Sequence, residues 1–229
     1  TQANIDLLER SRVEPTRALA KAANEFGKPA LWLQMSTLAI YGDAGEGILD
    51  ETSQPASGPR QMAGVAKAWE ACVDSSLAER LVILRTAVVL QSGSPALNRL
   101  VTMTKLLLGG TVGSGKQWVS WIHATDFLRA VDFIVANEDI AGITHMTSPE
   151  PVTNSELMHT LRKVLHRPWT PPTPAWLVKI GARLLFKTDP QLGLTGRRAM
   201  PKRLLEKGFG FNYPSLEGAL KELVTSEKP

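Results

Sequence analysis

The chain holds a single cysteine, two tyrosines and no long uninterrupted apolar run in its 229 residues. One cysteine, Cys72, excludes an internal disulfide and fits a reducing compartment, so the expected location is cytoplasmic. It falls in the helical pattern "KAWEACVDSSLAER" and reads as a small core residue rather than a nucleophile. The two longest apolar stretches, "LVILRTAVVL" and "PALWLQMSTLAI", are broken by Arg85 and Gln34 and are too short to span a bilayer. The first ten residues include Asp6, Glu9 and Arg10 and lack the apolar core of a signal peptide. The first residue is Thr1 rather than Met, which suggests that sequence is missing upstream. The excess of one sign of charge is small too, the net value being +4. Much of that excess lies in "TGRRAMPKRLLEKG", with Arg197, Arg198, Lys202, Arg203 and Lys207. No aromatics interleave with these charges, so the stretch reads as a solvated helix face and no nucleic-acid partner is expected.

What remains is ordinary globular composition, 43% hydrophobic and 21% charged, enough for one large domain or two small ones. Residues 16–26, "TRALAKAANEF", carry apolar residues on one helical side, with Pro15 suited to a first turn and Gly27 to a stop. "ALWLQMS" then reads as a buried strand entering the glycine-rich loop "TLAIYGDAGEG". Residues 61–79 read as helix and 80–90, "RLVILRTAVVL", as the strongest strand. The alternation continues with helix 96–108, strand 116–122, helix 125–137, strand 142–148 and helix 154–166. Such a rhythm predicts an α/β fold with a parallel sheet. "RPWTPPTPAW", with prolines at 168, 171, 172 and 174, predicts an extended linker. A small module of helices follows, with "GFGFNYP" alternating as a strand does.

Three segments invite a chemical reading. "GGTVGSGKQW" approaches a phosphate-binding P-loop, but Gln117 replaces the hydroxyl that would hold magnesium. A P-loop also needs a strand before the glycines and a helix after them, and here the order is reversed. In "SWIHATD", His123 and Asp126 could form an acid–base pair, yet Thr125 or Asp126 serves more simply as a helix N-cap. The other histidines show no ligand spacing, and no metal is expected. "MSTLAIYGD" closes a buried strand with the hydroxyl pair Ser36–Thr37, and Tyr41 follows in the loop. Ligands of parallel α/β sheets bind off the carboxyl ends of strands, where this pair would lie.

"STLAIYG" and "WIHATD" resemble motifs of the extended short-chain dehydrogenases/reductases, the nucleotide-sugar epimerase and dehydratase group. "SRVEPTRAL", "WEACV", "LRTAVVL", "GGTVGSGKQWVSWIHATD", "GITHMTSPEPVTNSEL" and "PKRLLEKGFGFNYPSLEGAL" resemble an atypical epimerase/dehydratase-like subfamily with its own small C-terminal module. The resemblance covers essentially the whole chain. It implies a partial Rossmann-type parallel sheet whose N-terminal half, with the Gly-rich pyrophosphate turn, is absent. The implied divisions are a C-terminal half of the Rossmann domain at 1–90, a substrate-cap segment at 91–116, a return strand and helix at 117–143, and cap plus C-terminal module at 144–229.

The resemblance further implies an NADP or NAD cofactor, a nucleotide-sugar or other small hydroxylated substrate, and no membrane partner, and it leaves a homodimer open. In that group a Ser or Thr works with a Tyr-x-x-x-Lys pair, the Tyr moving a proton and the Lys lowering its pKa. Thr37 holds the Ser/Thr position. The Tyr and Lys positions fall on Met62 and Ala66, or one residue later on Ala63 and Lys67, and no tyrosine stands in either register. The catalytic candidates are thus Ser36, Thr37, Tyr41 and Lys67. Ser36, Thr37, Arg85 and Thr86 are the candidates for touching the cofactor, with Arg85 read equally as a salt-bridged strand-end residue. Two functions stay open: an enzyme of the epimerase or reductase type, and a non-catalytic NAD(P)-binding sensor or interaction module.

Overall fold

A computed structural model describes residues 1–174 and 191–225. The expected linker's last two residues, the first part of the C-terminal module and residues 226–229 lie outside the described residues. Helix α1 (Gln2–Phe26) is capped by Thr1, whose hydroxyl accepts from Asn4 N, and it stops at Gly27 with φ +117°. It is far longer than the predicted 16–26 and runs through Pro15. Proline deletes one backbone donor, and tertiary contact outweighs that loss. Val13 and Thr16 are buried, and the Trp69 indole donates to Thr16 Oγ1 at 3.0 Å.

Strand β1 (Leu31–Thr37) ends in a 3₁₀ turn, Leu38–Tyr41, and leads to the short β2 (Ile48–Leu49). A π-helical turn, Arg60–Gly64, feeds α2 (Val65–Glu70). Then come β3 (Arg80–Thr86), β4 (Val88–Leu90), α3 (Pro95–Lys105), β5 (Trp118–Val119), β6 (Trp121–His123) and α4 (Ala124–Ala136). Next follow β7 (Gly142–Met146), β8 (Val152–Thr153) and α5 (Asn154–Val164). The later described segment holds α6 (Gln191–Leu194), β9 (Arg198–Ala199), α7 (Lys202–Glu206) and α8 (Leu216–Thr225).

The sheet that organises the chain is parallel, in the order β1-β3-β7. Its residues form an α/β fold of the expected kind, because runs of Val, Ile and Leu suit parallel strands packed against helices. One face packs Val82, Leu84 and Met146 against Ala130 and Ile134 of α4 and against Leu204 and Phe209. A second core gathers Leu97 and Val101 of α3, Leu157 and Leu161 of α5, and Leu220 and Leu223 of α8 around Trp121. The sheet's two outer edges differ. Beyond β1 there is no strand among the described residues, only an open groove of about 670 Å³ lined by Leu19, Phe26, Leu31, Leu33 and Met35. At β7 the His145 N–H is taken by the Glu51 carboxylate at 3.1 Å.

Several predicted elements are redrawn. The strand 80–90 breaks at Ala87, whose N–H turns to Met146 O while Val88 N–H turns to Ser120 O. The strand 116–122 divides at Ser120: β5 pairs with β8 antiparallel, whereas β6 pairs with β4 in parallel. Neither half joins the main sheet; β7 does, so the division drawn at 143 cuts a strand. The helix 61–79 ends at Glu70, leaving Cys72 half-buried just beyond it. "GFGFNYP" is no strand, because the Asn212 and Tyr213 N–H groups donate to Asp126 instead. In the glycine loop only Gly113 and Gly115 adopt positive φ, at 60° and 71°. Gly109 and Gly110 are required for space: a Cβ on Gly110 would lie 2.0 Å from Pro171 O. The loop connects α3 to β5, so no helix follows it to hold a phosphate.

"WIHATD" proves to be a structural latch. His123, not Thr125 or Asp126, is the N-cap of α4, its Nδ1 accepting from Thr125 N–H at 3.1 Å. Its Nε2–H therefore faces Glu222 of α8 at 2.9 Å, and its ring stacks on Tyr213 at 3.9 Å. Asp126 is fully buried and accepts from Asn212 N, Tyr213 N and Arg129. Replacing Asp126 by Ala leaves two partly buried N–H groups and the Arg129 guanidinium without their acceptor, each lost bond worth about 1–3 kcal/mol. The expected result is a loss of about 3 kcal/mol in urea unfolding, with the C-terminal segment becoming the first region to exchange amide protons.

Candidate functional site

Parallel pairing brings the carboxyl ends of β1, β3 and β7 level. Ser36, Arg85 and His145 stand in one cross-strand row, and Thr37, Thr86 and Met146 in the next. Successive strand residues point to opposite faces, so the two rows face opposite sides of the sheet. The row of Ser36, Arg85 and His145 is closed off: the three are 3%, 3% and 0% exposed. Thr37 and Thr86 remain half-buried at the strand ends.

Arg85 organises the closed side. Its Nε and Nη2 donate to the two oxygens of Glu70 at 2.9 and 2.8 Å, a bidentate pair, and its Nη1 donates to the Tyr41 hydroxyl at 2.7 Å. Ser36 donates to the same Glu70 oxygen at 2.5 Å. The Tyr41 hydroxyl lies 2.7 Å from His145 Nε2, and His145 Nδ1 lies 3.1 Å from Met200 O. A carbonyl only accepts, so Nδ1 carries the proton, and Nε2 accepts from Tyr41. Burial holds His145 down to about 4, against the bond to Met200 O that favours its protonation. Burial likewise pushes the Tyr41 phenol up, only partly opposed by Arg85, so it stays protonated and donates. Glu51 is also raised by burial, although it accepts from His145 N and Arg203 N.

The structure thus separates the predicted residues. Arg85 is the salt-bridged strand-end residue; all three of its nitrogens are engaged internally, which turns it away from a cofactor. Ser36 and Tyr41 are drawn into the same buried network. Thr37 accepts from Ala39 N at 3.1 Å while capping the 3₁₀ turn, and Thr86 donates to Leu84 O at 3.2 Å. Lys67 is exposed on α2. Met62 and Ala66 are buried, so a thioether and a methyl group stand where the Tyr-x-x-x-Lys pair was sought. Sequence reasoning overlooked three residues: Glu70, His145 and Arg197. Glu70 lies within "WEACV", His145 lacks ligand spacing, and Arg197 falls in a run of basic residues that reads as a solvated face.

A parallel sheet with polar strand ends and a helical layer beside it defines a Rossmann-type α/β protein. The model of the NAD dependent epimerase/dehydratase family matches residues 2–145, and the chain belongs to that family. A second model, described as a domain of unknown function (DUF1731), matches residues 173–223. Epimerase family protein Mb2239 of Mycobacterium bovis is 32% identical over 95% of this chain, which spans 71% of that protein. Epimerase family protein YfhF of Bacillus subtilis is likewise 32% identical, with the same coverage of each. The crystal structure of human epimerase family protein SDR39U1 with NADPH superposes with a TM-score of 0.89 at 27% identity, covering 98% of this chain and 76% of that one. No helix among the described residues is long and apolar enough to cross a membrane.

Because His145 is held neutral when folded but titrates near 6.5 when unfolded, the unfolded chain binds the extra proton between those values. The stabilisation is complete above pH 6.5 and is lost as the pH falls toward 4, with a limiting slope of about 1.4 kcal/mol per pH unit. Glu51, raised in the folded chain, contributes with opposite sign. Unfolding midpoints measured from pH 7 to 4 are expected to fall steeply in the wild type and less steeply in His145→Gln. Parallel slopes for the two proteins would assign the pH dependence elsewhere.

Proposed function

We propose that the protein binds NAD(P) and acts as an epimerase- or reductase-type enzyme on a nucleotide sugar or other small hydroxylated substrate, in the cytoplasm. The observation that carries this reading is the Thr37–Thr86 row, two half-buried hydroxyls in register at the carboxyl ends of adjacent parallel strands. That is where open α/β sheets receive ligands, and the sheet is shared with a relative solved with NADPH. These hydroxyls fit the nicotinamide end of such a cofactor; a Gly-rich pyrophosphate turn does not occur in the 229 residues. A bound nicotinamide would supply hydride exchange. In this reading Thr37 Oγ1 orients a substrate oxygen and Thr86 borders the cofactor. Tyr41 does not exchange protons with a ligand, since its hydroxyl is held between Arg85 and His145.

A second reading, a non-catalytic NAD(P)-binding sensor or interaction module, is favoured by one observation. Buried Met62 and Ala66 offer no proton at the positions where the relay was sought. Titrating the full-length protein with NADPH and NADH by cofactor fluorescence, then assaying turnover on a panel of sugar nucleotides, separates the two. Binding with turnover is expected, and Thr37→Val should lower kcat/KM about 100-fold, as loss of a positioned oxygen ligand does elsewhere. Binding without turnover selects the sensor. Failure to bind either cofactor overturns both readings.

A further inference from the structure

Arg197 lies on the C-terminal segment beside Met62, and its surroundings are incomplete in a specific way. Its backbone is fixed: N donates to Trp118 O at 2.9 Å, and O accepts from Ser120 Oγ at 2.8 Å. The neighbouring Arg198 stacks over the Trp118 ring at 4.2 Å. The Arg197 side chain instead reaches Met62, Nη2 standing 3.7 Å from the sulfur and 3.1 Å from Thr195 Oγ1. Its Nε is enclosed and has no acceptor among the described residues. Asp43 is near enough to favour the charge, but its carboxylate accepts from Gly196 N at 3.0 Å and forms no ion pair with Arg197.

Comparison with the other inward-turned arginines shows how unusual this is. Arg85 has a bidentate carboxylate, Arg162 donates to Gly109 O, and Arg80 donates to carbonyls at the end of α4. Among the described residues, Arg197 Nε is the one enclosed and unpartnered nitrogen of a charged side chain. A guanidinium does not lose its proton in proteins, and a thioether is a weak acceptor. Keeping such a group inside is costly unless an acceptor arrives. The Arg60–Gly64 turn that carries Met62 packs on the Leu38–Tyr41 turn directly after Thr37.

We propose that Arg197 is the recognition residue for an oxyanion, a carboxylate or a phosphate, on the part of the substrate that lies beside Met62. One oxygen satisfies Nε, and another displaces the flexible Met62 thioether from Nη2, the same guanidinium edge that Arg85 presents to Glu70. This deepens the reading of the Thr37 region as a substrate site and rests on it. It also gives Met62 a role: an unbranched, adaptable side chain that covers the cation until the anion replaces it.

The test compares thermal midpoints of full-length wild type, Arg197→Met and Arg197→Lys, with sodium phosphate, sodium malonate or sodium chloride at equal ionic strength. Without added oxyanion, Arg197→Met should melt about 2–4 °C above wild type, because an uncompensated cation is removed. Phosphate or malonate should raise the wild-type midpoint beyond chloride, leave Arg197→Met unmoved, and raise Arg197→Lys by a smaller amount. Whichever salt acts identifies the oxyanion. The proposal is overturned if Arg197→Met melts below wild type, if the salts act equally on wild type and Arg197→Met, or if neither exceeds chloride in wild type. Titration of the same wild-type protein with NADPH keeps the two readings apart. An anion response without NADPH binding retracts the cofactor reading alone, and NADPH binding without an anion response retracts this one.

Discussion

The pair between Arg85 and Glu70 is the contact on which the strand ends depend. Two parallel N–H···O bonds fix the guanidinium plane, and the third nitrogen then sets where the Tyr41 hydroxyl must sit. From Tyr41 the order passes to His145 and on to the Met200 carbonyl. One cation on the middle strand therefore registers β1, α2, β7 and the C-terminal segment at once. In a low-dielectric interior neither partner tolerates the loss of the other, because the survivor becomes an unpaired buried charge. The arrangement also divides labour across the sheet. Polar groups on one face are committed to holding the strands level, and on the other Thr37 caps the 3₁₀ turn while Thr86 donates to Leu84 O.

The second constraint is attachment. His123 and Asp126, at the start of α4, hold the segment around Tyr213 and the helix that carries Glu222. This latch fastens the C-terminal segment to the body of the fold, and the same segment delivers Arg197 to Met62. The loop from Gly109 to Trp118 belongs to the same arrangement. Its glycines let the backbone pass under Pro171 and beside Thr104, and Arg162 closes on the Gly109 carbonyl.

How much of this was legible follows from how local each cause is. The alternation of helices and strands was readable, because apolar runs rich in Val, Ile and Leu specify covered parallel strands. The hydroxyls of Ser36 and Thr37 were correctly placed at a strand end for the same reason. The breaks at Ala87 and Ser120 were not readable, since each is a change of hydrogen-bonding partner supplied by distant chain. Pro15 misled because a local rule was overruled by burial of Val13 and Thr16. Within the site, the bland reading of Arg85 was right, yet its partners Glu70, Tyr41 and His145 come from separate elements, and no spacing reveals them. Arg197 was concealed by its neighbours: in a run of basic residues, nothing local distinguishes an enclosed guanidinium from solvated ones.

The guarded side of the central sheet carries a consequence for its neighbours. A strand edge with free N–H and C=O groups is a template for further pairing, and at β7 the Glu51 carboxylate already occupies the His145 N–H. An added strand would have to expel that carboxylate before it could pair there, so one acidic side chain both orders its loop and keeps this side of the sheet closed.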